Sequence, residues 1–260
     1  NLIGGQGLVF NPGEAVLGTT TPVYSLVMSA LGMLTGGASA PFPVLAWLVN
    51  ALADGITCWL LIRLGLRLAH RDAGIAASLL WAVAPMSVTF SIGGMETSLF
   101  IALMTATLYL HSIGRPVSAA FAGALSLLTR PDALVLLVPL ALERVRLAAG
   151  WPPRRAAPRP VLWKEVVAFA LPVAAWVMLG TAYYGNPIPH SILAKVAAYR
   201  LPPEAGFVRL VQHYSTPFLE HLTFGTGWIA VGLFLYPILC ALGAARLLRD
   251  EPGAWPMLAY

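Results

Sequence analysis

Long apolar runs separated by short polar segments dominate this chain. A helix that crosses the hydrocarbon core of a bilayer takes about 20 predominantly apolar residues, and most of the runs approach that length. The seven runs are 43–62, 73–92, 95–112, 116–129, 131–147, 166–184 and 226–246. The pattern predicts an all-α fold, in which these runs form a polytopic transmembrane helix bundle.

The chain is predicted to be a single transmembrane domain, 1–260, that begins with an extracytoplasmic loop over 1–42. Residues 21–34 in this loop are apolar, but a run of about 14 residues is too short for a span. A crossing there would also reverse the direction of every later span. We therefore interpret 21–34 as a short helix at the membrane interface, preceded by turns that are rich in glycine and proline.

The rest of the domain follows the same alternation. Six spans lie within 43–184, a second outer loop covers 185–225, and a seventh span covers 226–246. Within the second loop, Ser191–Tyr199 is predicted to form a short interfacial helix. The last residues, 255–260, have the composition of the start of another span, so the chain is interpreted as a fragment that is truncated at both ends.

Composition and charge support a membrane protein and give it an orientation. Hydrophobic residues make up 58% of the chain and charged residues 10%, whereas a soluble domain has about 25% charged residues. If the spans alternate, twelve of the 16 Lys and Arg residues lie on one side: Arg63, Arg67, Arg71, Arg115, Arg144, Arg146, Arg154, Arg155, Arg159, Lys164, Arg246 and Arg249. The positive-inside rule makes that side cytoplasmic. The net charge of +5 therefore indicates topology, and no nucleic-acid partner is predicted.

The junction between 116–129 and 131–147 is unusual for a membrane protein because it is charged. The first of these runs would be only about 22 Å long at 1.5 Å per residue, which is less than the hydrocarbon core of about 30 Å. The turn at Arg130 and Asp132 is therefore predicted to lie below the outer surface. A charged turn at such depth is tolerated only where it lines protein or a wet cavity.

Carboxylates and cations are predicted to gather on the outer side of the membrane. The acids are Glu14, Glu96 and Asp132, and the candidate cations are Arg130, His190 and Lys195. Such a set suits a substrate with a phosphate leaving group and a hydroxyl acceptor. A carboxylate can accept the hydroxyl proton, and a cation can neutralise the charge that develops on the departing phosphate.

Each acid and the arginine also have a purely structural interpretation. Glu96 stands where the helix of 95–112 begins and could cap it and complement its dipole. Arg130 and Asp132 could pair with each other and stabilise a turn. Glu14 could be a solvated loop residue. The sequence leaves these alternatives open.

Further polar residues have similar alternatives. His190 and Lys195 could face lipid headgroups at the interface. Asp54 lies in the middle of a span, with Asn50 and Thr57 at helical spacing. An intramembrane acid is a candidate functional residue, but a polar stripe that bonds to a neighbouring helix is the favoured interpretation here. The five histidines are scattered and form no cluster with cysteine, so no metal site is predicted.

Several short motifs, taken together, resemble the GT-C-type integral membrane glycosyltransferases. The closest similarity is to bacterial mannosyl- and arabinofuranosyltransferase-like members. The motifs occur in the family's order and share the predicted outer side. They are Gly5-Gln6-Gly7-Leu8-Val9-Phe10-Asn11-Pro12-Gly13-Glu14, Gly18-Thr19-Thr20-Thr21-Pro22, Gly94-Met95-Glu96-Thr97, Leu128-Thr129-Arg130-Pro131-Asp132, Tyr184-Gly185-Asn186-Pro187-Ile188-Pro189-His190 and Ala194-Lys195-Val196.

The resemblance implies an enzyme of the bacterial cell envelope. It would take a hexose or pentose from a polyprenyl-phosphate donor, a lipid-linked sugar, and transfer it with inversion at the sugar carbon. The acceptor would be a hydroxyl of a glycan, a lipid or a protein. The reaction would take place at the outer face of the cytoplasmic (inner) membrane. The lipid-linked donor is the implied cosubstrate, and a divalent cation is left open as a cofactor.

The resemblance also assigns expected roles to the candidate residues. The family's catalytic aspartate is expected before Asn1, so the catalytic residue is not assigned within this chain and the fragment is expected to be inactive. Glu96 and Asp132 would orient sugar hydroxyls or, alternatively, bind a divalent cation. The other substrate-binding residues are expected to be Asn11 and Glu14, which shape the site in the first loop, and Arg130, His190 and Lys195, which hold the lipid-linked phosphate.

Two rival functions remain at this stage. The first is a non-enzymatic transporter or flippase of lipid-linked sugars, although the sequence lacks the repeated halves that many transporters have. The second is a structural membrane subunit whose polar residues only join helices. The structural subunit predicts that the outer acids and cations are scattered in three dimensions.

Overall fold

The computed structural model describes the chain except for residues 1, 6, 8, 10–12, 14–15, 69, 151–161, 187–188, 190–201 and 260, and it omits the side chains of 203, 209, 210, 252, 253 and 259. All regular structure in the described part is helical. The α-helices are α1 (Pro22–Thr35), α2 (Phe42–Arg67), α3 (Arg71–Val83), α4 (Pro85–Ile92), α5 (Thr97–Ser112), α6 (Pro116–Thr129), α7 (Leu134–Ala148), α8 (Leu162–Tyr184), α9 (Pro203–Ser215), α10 (Glu220–Phe224) and α11 (Trp228–Asp250). Three 3₁₀ helices cover Gly37–Ser39, Pro131–Ala133 and Pro252–Ala259.

Three of these helices, α2, α8 and α11, are long and apolar enough to cross a membrane. The bent pair α3–α4 makes a fourth if the two helices together form one span. Only 6% of the most apolar window of α8, and 6% of that of α11, is buried within the protein. These apolar surfaces therefore need a cover that the described residues do not supply, and a bilayer supplies one.

The predicted span 73–92 is not one continuous helix. It breaks between α3 and α4, whose axes are bent by 52°. The cause is Pro85, which lacks the N–H for a helical hydrogen bond and disfavours helical backbone in the residue before it. Ala84 accordingly adopts an extended conformation, with φ −61° and ψ 123°, and Pro85 begins α4.

Helices α2 and α3 approach each other closely where two glycines face each other. A Cβ placed on Gly65 would lie 2.6 Å from the Cα of Gly74, and one placed on Gly74 would lie 2.8 Å from the carbonyl oxygen of Leu61. Small residues at such a crossing allow two backbones to pack against each other in a membrane. The contact fixes the hairpin between α2 and α3 at the end that carries Arg63.

The predicted polar stripe on α2 bonds to neighbouring helices, as the favoured interpretation required. Asn50 donates from Nδ2 to the carbonyl oxygens of Ser91 (3.1 Å) and Met95 (2.9 Å). Asp54 accepts hydrogen bonds from Trp81 Nε1 on α3 (3.3 Å) and from Ser98 Oγ on α5 (3.1 Å). The stripe therefore joins α2 to three later helices.

We expect Asn50→Leu to destabilise the protein by about 1–3 kcal/mol, because the Ser91 and Met95 carbonyl groups lose the buried amide that donates to them. Asn50 is fully buried, so water cannot replace the amide. Thr57→Val is the matched control on the same helix, since the hydrogen bond that Thr57 donates to a described residue goes to the Ala53 carbonyl of its own helix. The thermal midpoint of detergent-solubilised protein measures both. Equal losses for the two variants would contradict the assigned bonds.

The side chains of α5 and α7 form the apolar core. Phe100, Met104 and Leu108 project from α5 at four-residue spacing against Ala133, Leu136 and Leu140. At the Arg63 end, the Nη2 atom of Arg63 lies 3.3 Å from the Tyr109 hydroxyl. The bundle therefore has two ends. We call them the Glu96 end and the Arg63 end, after the residues that lie there.

The predicted loop segments have mixed outcomes. Residues 21–34 do form a helix, α1, whereas its place at the membrane interface stays a prediction. The predicted loop 185–225 contains α9 and α10, and the interfacial helix predicted for Ser191–Tyr199 falls outside the described residues. The prediction that 255–260 opens a span is untested; the described residues there belong to the 3₁₀ helix Pro252–Ala259, which packs against α7.

Candidate functional site

Two helix junctions meet at the Glu96 end of the bundle. Between α4 and α5 the chain reverses through Gly94, whose φ of +67° is accessible mainly to glycine. Between α6 and α7, Arg130 leaves the helix in an extended conformation, with φ −152° and ψ 137°. The following Pro131 favours this backbone and starts the 3₁₀ turn Pro131–Ala133. Both turns therefore aim polar side chains at the same end.

The Arg130 guanidinium joins the two junctions. Its Nη1 lies 3.4 Å from Glu96 Oε1. Its Nη2 and Nε both donate to Asp132 Oδ2, at 2.6 and 3.1 Å. The guanidinium carbon also lies 5.7 Å from the centre of the Phe100 ring, close enough for a cation–π contact. The structure thus brings together three of the predicted site residues, Glu96, Arg130 and Asp132.

The cluster is partly buried, so its charges interact more strongly than on an open surface. The side chains of Arg130 and Glu96 are 31% and 21% exposed, whereas that of Asp132 is 59% exposed. Arg130 therefore reaches solvent and presents a cation flanked by carboxylates. Such a group can bind an anion such as phosphate, while carboxylate oxygens beside it can accept hydrogen bonds from sugar hydroxyls.

The structural alternatives for these residues receive a partial answer. Glu96 occupies the N-cap position of α5, but its side chain makes no capping hydrogen bond. The turn pair between Arg130 and Asp132 is present. Scattering, which a purely structural subunit predicted, does not occur for these three residues. Their roles as substrate-binding residues stay predictions.

Side chains from α1 and α2 hydrogen-bond to the turn that carries Glu96. Tyr24 on α1 donates its hydroxyl to the Gly94 carbonyl oxygen (2.9 Å), and Asn50 bonds to Met95. Burial raises the pKa of the Tyr24 phenol above its usual value, so it remains a donor. Two buried oxygens near this turn, Asn50 Oδ1 and Thr97 Oγ1, have no hydrogen-bond partner among the described residues.

The remaining predicted site residues, Asn11, Glu14, His190 and Lys195, fall outside the described residues. Two described residues of the same regions nevertheless contact each other: one lies in the first loop, and the other lies just before the motif that ends at His190. Gly7 of the first loop packs so tightly against the Tyr183 hydroxyl that a Cβ at this position would overlap it. The first-loop motif therefore meets the end of α8, which leads directly into the motif that begins at Tyr184.

Sequence reasoning missed two buried ion pairs near the other end of α7. Arg144 donates to both oxygens of Glu165, at 2.8 and 2.5 Å. Glu143 accepts from Arg146 Nη2 (3.0 Å) and from Trp255 Nε1 (2.6 Å). The two glutamates beside a run of arginines were the available signal, since buried acids in an apolar chain need partners.

The alternative role of Glu96 and Asp132, binding of a divalent cation, stays a prediction. Across the described part of the chain, no group of three or more His, Cys, Asp and Glu side chains is placed to hold a metal ion. Among the described residues, the cation that contacts both Glu96 and Asp132 is Arg130. Comparison with protein-family models, curated proteins and solved structures finds no match to this chain.

Proposed function

We propose that this chain is the membrane domain of a glycosyltransferase. It would move a sugar from a polyprenyl-phosphate donor to an acceptor hydroxyl at the outer face of a bacterial cytoplasmic membrane. The observation that carries the proposal is the meeting of Glu96, Arg130 and Asp132, which come from two separate motifs of the resemblance and are joined by one guanidinium.

Other motif segments support the same grouping. The helix that follows Thr21-Pro22 contacts the Gly94 motif through the Tyr24 hydroxyl. Gly7, in the first-loop motif, packs against Tyr183 beside the Tyr184 motif. Motifs far apart in sequence are thus neighbours in pairs. Helix packing alone gives no reason for such pairing, whereas a shared substrate site does.

The cluster has the chemistry that the donor requires. A polyprenyl-phosphate sugar leaves a phosphate on the lipid, and Arg130 would neutralise that charge as the glycosidic bond breaks. Glu96 and Asp132 would hold the guanidinium in place and accept hydrogen bonds from sugar hydroxyls. We assign binding and charge stabilisation to these groups, and no general base among the described residues.

The arrangement of charge supports the proposed side of the membrane. Arg63, Arg67, Arg115 and Arg144 belong to the predicted cytoplasmic set, and the helix ends that carry them lie away from the Glu96 end. The positive-inside rule then places the cluster on the outer side. A lipid-linked donor can reach this side after its headgroup has been translocated, whereas a sugar nucleotide made in the cytoplasm cannot.

The donor class can be tested with membranes from cells that express the whole gene product. We expect radiolabel to move from a polyprenyl-phosphate sugar to an acceptor hydroxyl, and none to move from a sugar nucleotide when polyprenyl phosphate is depleted. Membranes from cells that lack the gene are the control. Transfer that needs only a sugar nucleotide would refute the proposed donor.

A transporter of lipid-linked sugars is the second candidate, and the break between α3 and α4 favours it. Discontinuous helices often line transporter sites. Vesicles that contain the purified protein separate the two functions. Movement of an intact lipid-linked sugar across the bilayer, without cleavage of its glycosidic bond, would support the transporter and argue against the enzyme.

A further inference from the structure

A lateral groove runs between α7 and α8, with α5 and α6 forming its floor. The groove encloses a cavity of about 410 Å³, which is within the range of small-molecule sites. It exists because α8 packs along α6 and meets α7 at few positions. The groove opens sideways on the bundle, where a bilayer would supply hydrocarbon chains.

The groove is apolar along most of its length and polar at one end. Apolar side chains from both helices line it, including Leu137, Val138 and Ala141 of α7 and Val166 and Phe169 of α8. The polar lining groups at its end are His111, Arg144 and Glu165. A chain-shaped ligand with one polar terminus fits this division better than a compact polar molecule.

The polar end of the groove has hydrogen-bond donors that no described residue uses. Arg144 uses Nε and Nη2 to bind Glu165 across the groove, and its Nη1 makes no hydrogen bond to any described residue. The ring nitrogens of His111 likewise have no hydrogen-bond partner in the described part of the chain. The ion pair therefore bridges α7 and α8 while leaving N–H groups for an added acceptor.

The rim at this end carries further positive charge. Lys164, which is exposed, precedes Glu165 at the start of α8, and the exposed Arg115 precedes Pro116, another lining residue. Arg115, Arg144 and Lys164 together outnumber the single lining acid, Glu165. Basic pockets between membrane helices attract anionic headgroups. The positive charge at the rim thus complements the phosphate of an anionic lipid headgroup better than that of a zwitterionic headgroup, whose ammonium group cancels the phosphate charge.

We propose that this groove binds one hydrocarbon chain of an anionic phospholipid, with its phosphate at the Arg144 end. The site is separate from the proposed donor site. Arg130 lies before the start of α7 and Arg144 lies near its far end, so the helix from Leu134 to Arg144 alone separates them by about 15 Å at 1.5 Å per residue. The proposal requires only that α7 and α8 face lipid, and it does not depend on the transferase activity.

Native mass spectrometry of the detergent-purified full chain tests the site, with phosphatidylglycerol and phosphatidylcholine of identical chains as probes. We expect about tenfold preferential retention of phosphatidylglycerol, as the charge near each basic residue contributes to binding. Val138→Trp should abolish retention by filling the groove. Val135→Trp is the matched control, because Val135 is on the same helix, is 60% exposed and does not line the groove.

Two further variants keep the test decisive. If Val138→Trp does not yield folded protein, Ala141→Leu obstructs the same cavity with a smaller side chain. Arg115→Gln combined with Lys164→Gln should reduce the headgroup preference about tenfold, and Arg71→Gln, an exposed arginine at the same end, should not. Equal retention of both lipids by the unaltered protein, or normal retention after the groove is filled in a folded variant, would overturn the proposal.

Discussion

In the whole gene product, replacing Arg130 with alanine is expected to abolish sugar transfer while leaving a folded protein in the membrane. The variant removes the guanidinium that lies between Glu96 and Asp132 and leaves two carboxylates where a phosphate is proposed to bind. Loss of an electrostatic contact to a reacting group typically costs about 10²- to 10³-fold in rate, and the unpaired carboxylates would repel the donor further. Transfer from a polyprenyl-phosphate sugar, normalised to protein in the membrane, is the measurement.

Stability should change little in the same variant. The Arg130 side chain is 31% exposed, and partly solvated ion pairs contribute about 1 kcal/mol or less. Arg63→Ala is the matched control. Arg63 also bridges two helices, through the Tyr109 hydroxyl, but it lies at the other end of the bundle. Unchanged transfer by Arg130→Ala, or an equal loss in Arg63→Ala, would remove Arg130 from the proposed site.

Gly65→Ala is expected to destabilise the protein strongly, in contrast to the same change at another glycine on the same helix. The new Cβ would lie 2.6 Å from the Gly74 Cα, so α2 and α3 would have to separate. Overpacking of this kind costs about 1–3 kcal/mol or more. Because the clash is with backbone, a change of rotamer cannot relieve it.

Gly55→Ala provides the matched comparison, since a Cβ there has no neighbour within 4 Å. In a helix interior, alanine is favoured over glycine by up to about 1 kcal/mol, so Gly55→Ala should be neutral or stabilising. Thermal unfolding of both variants in one detergent gives the difference. The close approach of α2 and α3 would be disproved by two variants of equal stability.

The sequence predicts helices well where an apolar run is uninterrupted. The runs 95–112 and 116–129 match α5 and α6 closely, and α2 extends the predicted 43–62 into the adjacent arginines. The bend at Ala84 within the run 73–92 is missed because hydropathy does not register the missing N–H of Pro85, although the pair α3–α4 can still form one span. Asn50 and Asp54 are four residues apart and so share one face of α2. Their contacts with neighbouring helices are predicted correctly, because polar side chains in an apolar environment must hydrogen-bond to other polar groups.

The candidate site is predictable in part. Alternation of spans brings Glu96 and Arg130 to one end of the bundle, and the structure adds the 3.4 Å contact. The positive-inside rule cannot predict the ion pairs made by Glu143 and Glu165, because the rule uses only the number of basic residues in each loop. It contains no information on which acid each arginine contacts. The groove between α7 and α8 depends on the angle at which α8 packs against α6, and no local sequence pattern encodes that packing angle.

If α5, α6 and α7 cross the membrane, as the sequence predicts, their shortness sets the thickness of the bilayer beside them. Their 16, 14 and 15 residues give lengths of about 21–24 Å, several ångströms less than an average hydrocarbon core. Surrounding lipid adapts to such a hydrophobic mismatch by thinning. On this side of the bundle the headgroup layer would dip towards Glu96 and Arg130, so that water and polar head groups reach charged turns that a flat membrane would submerge.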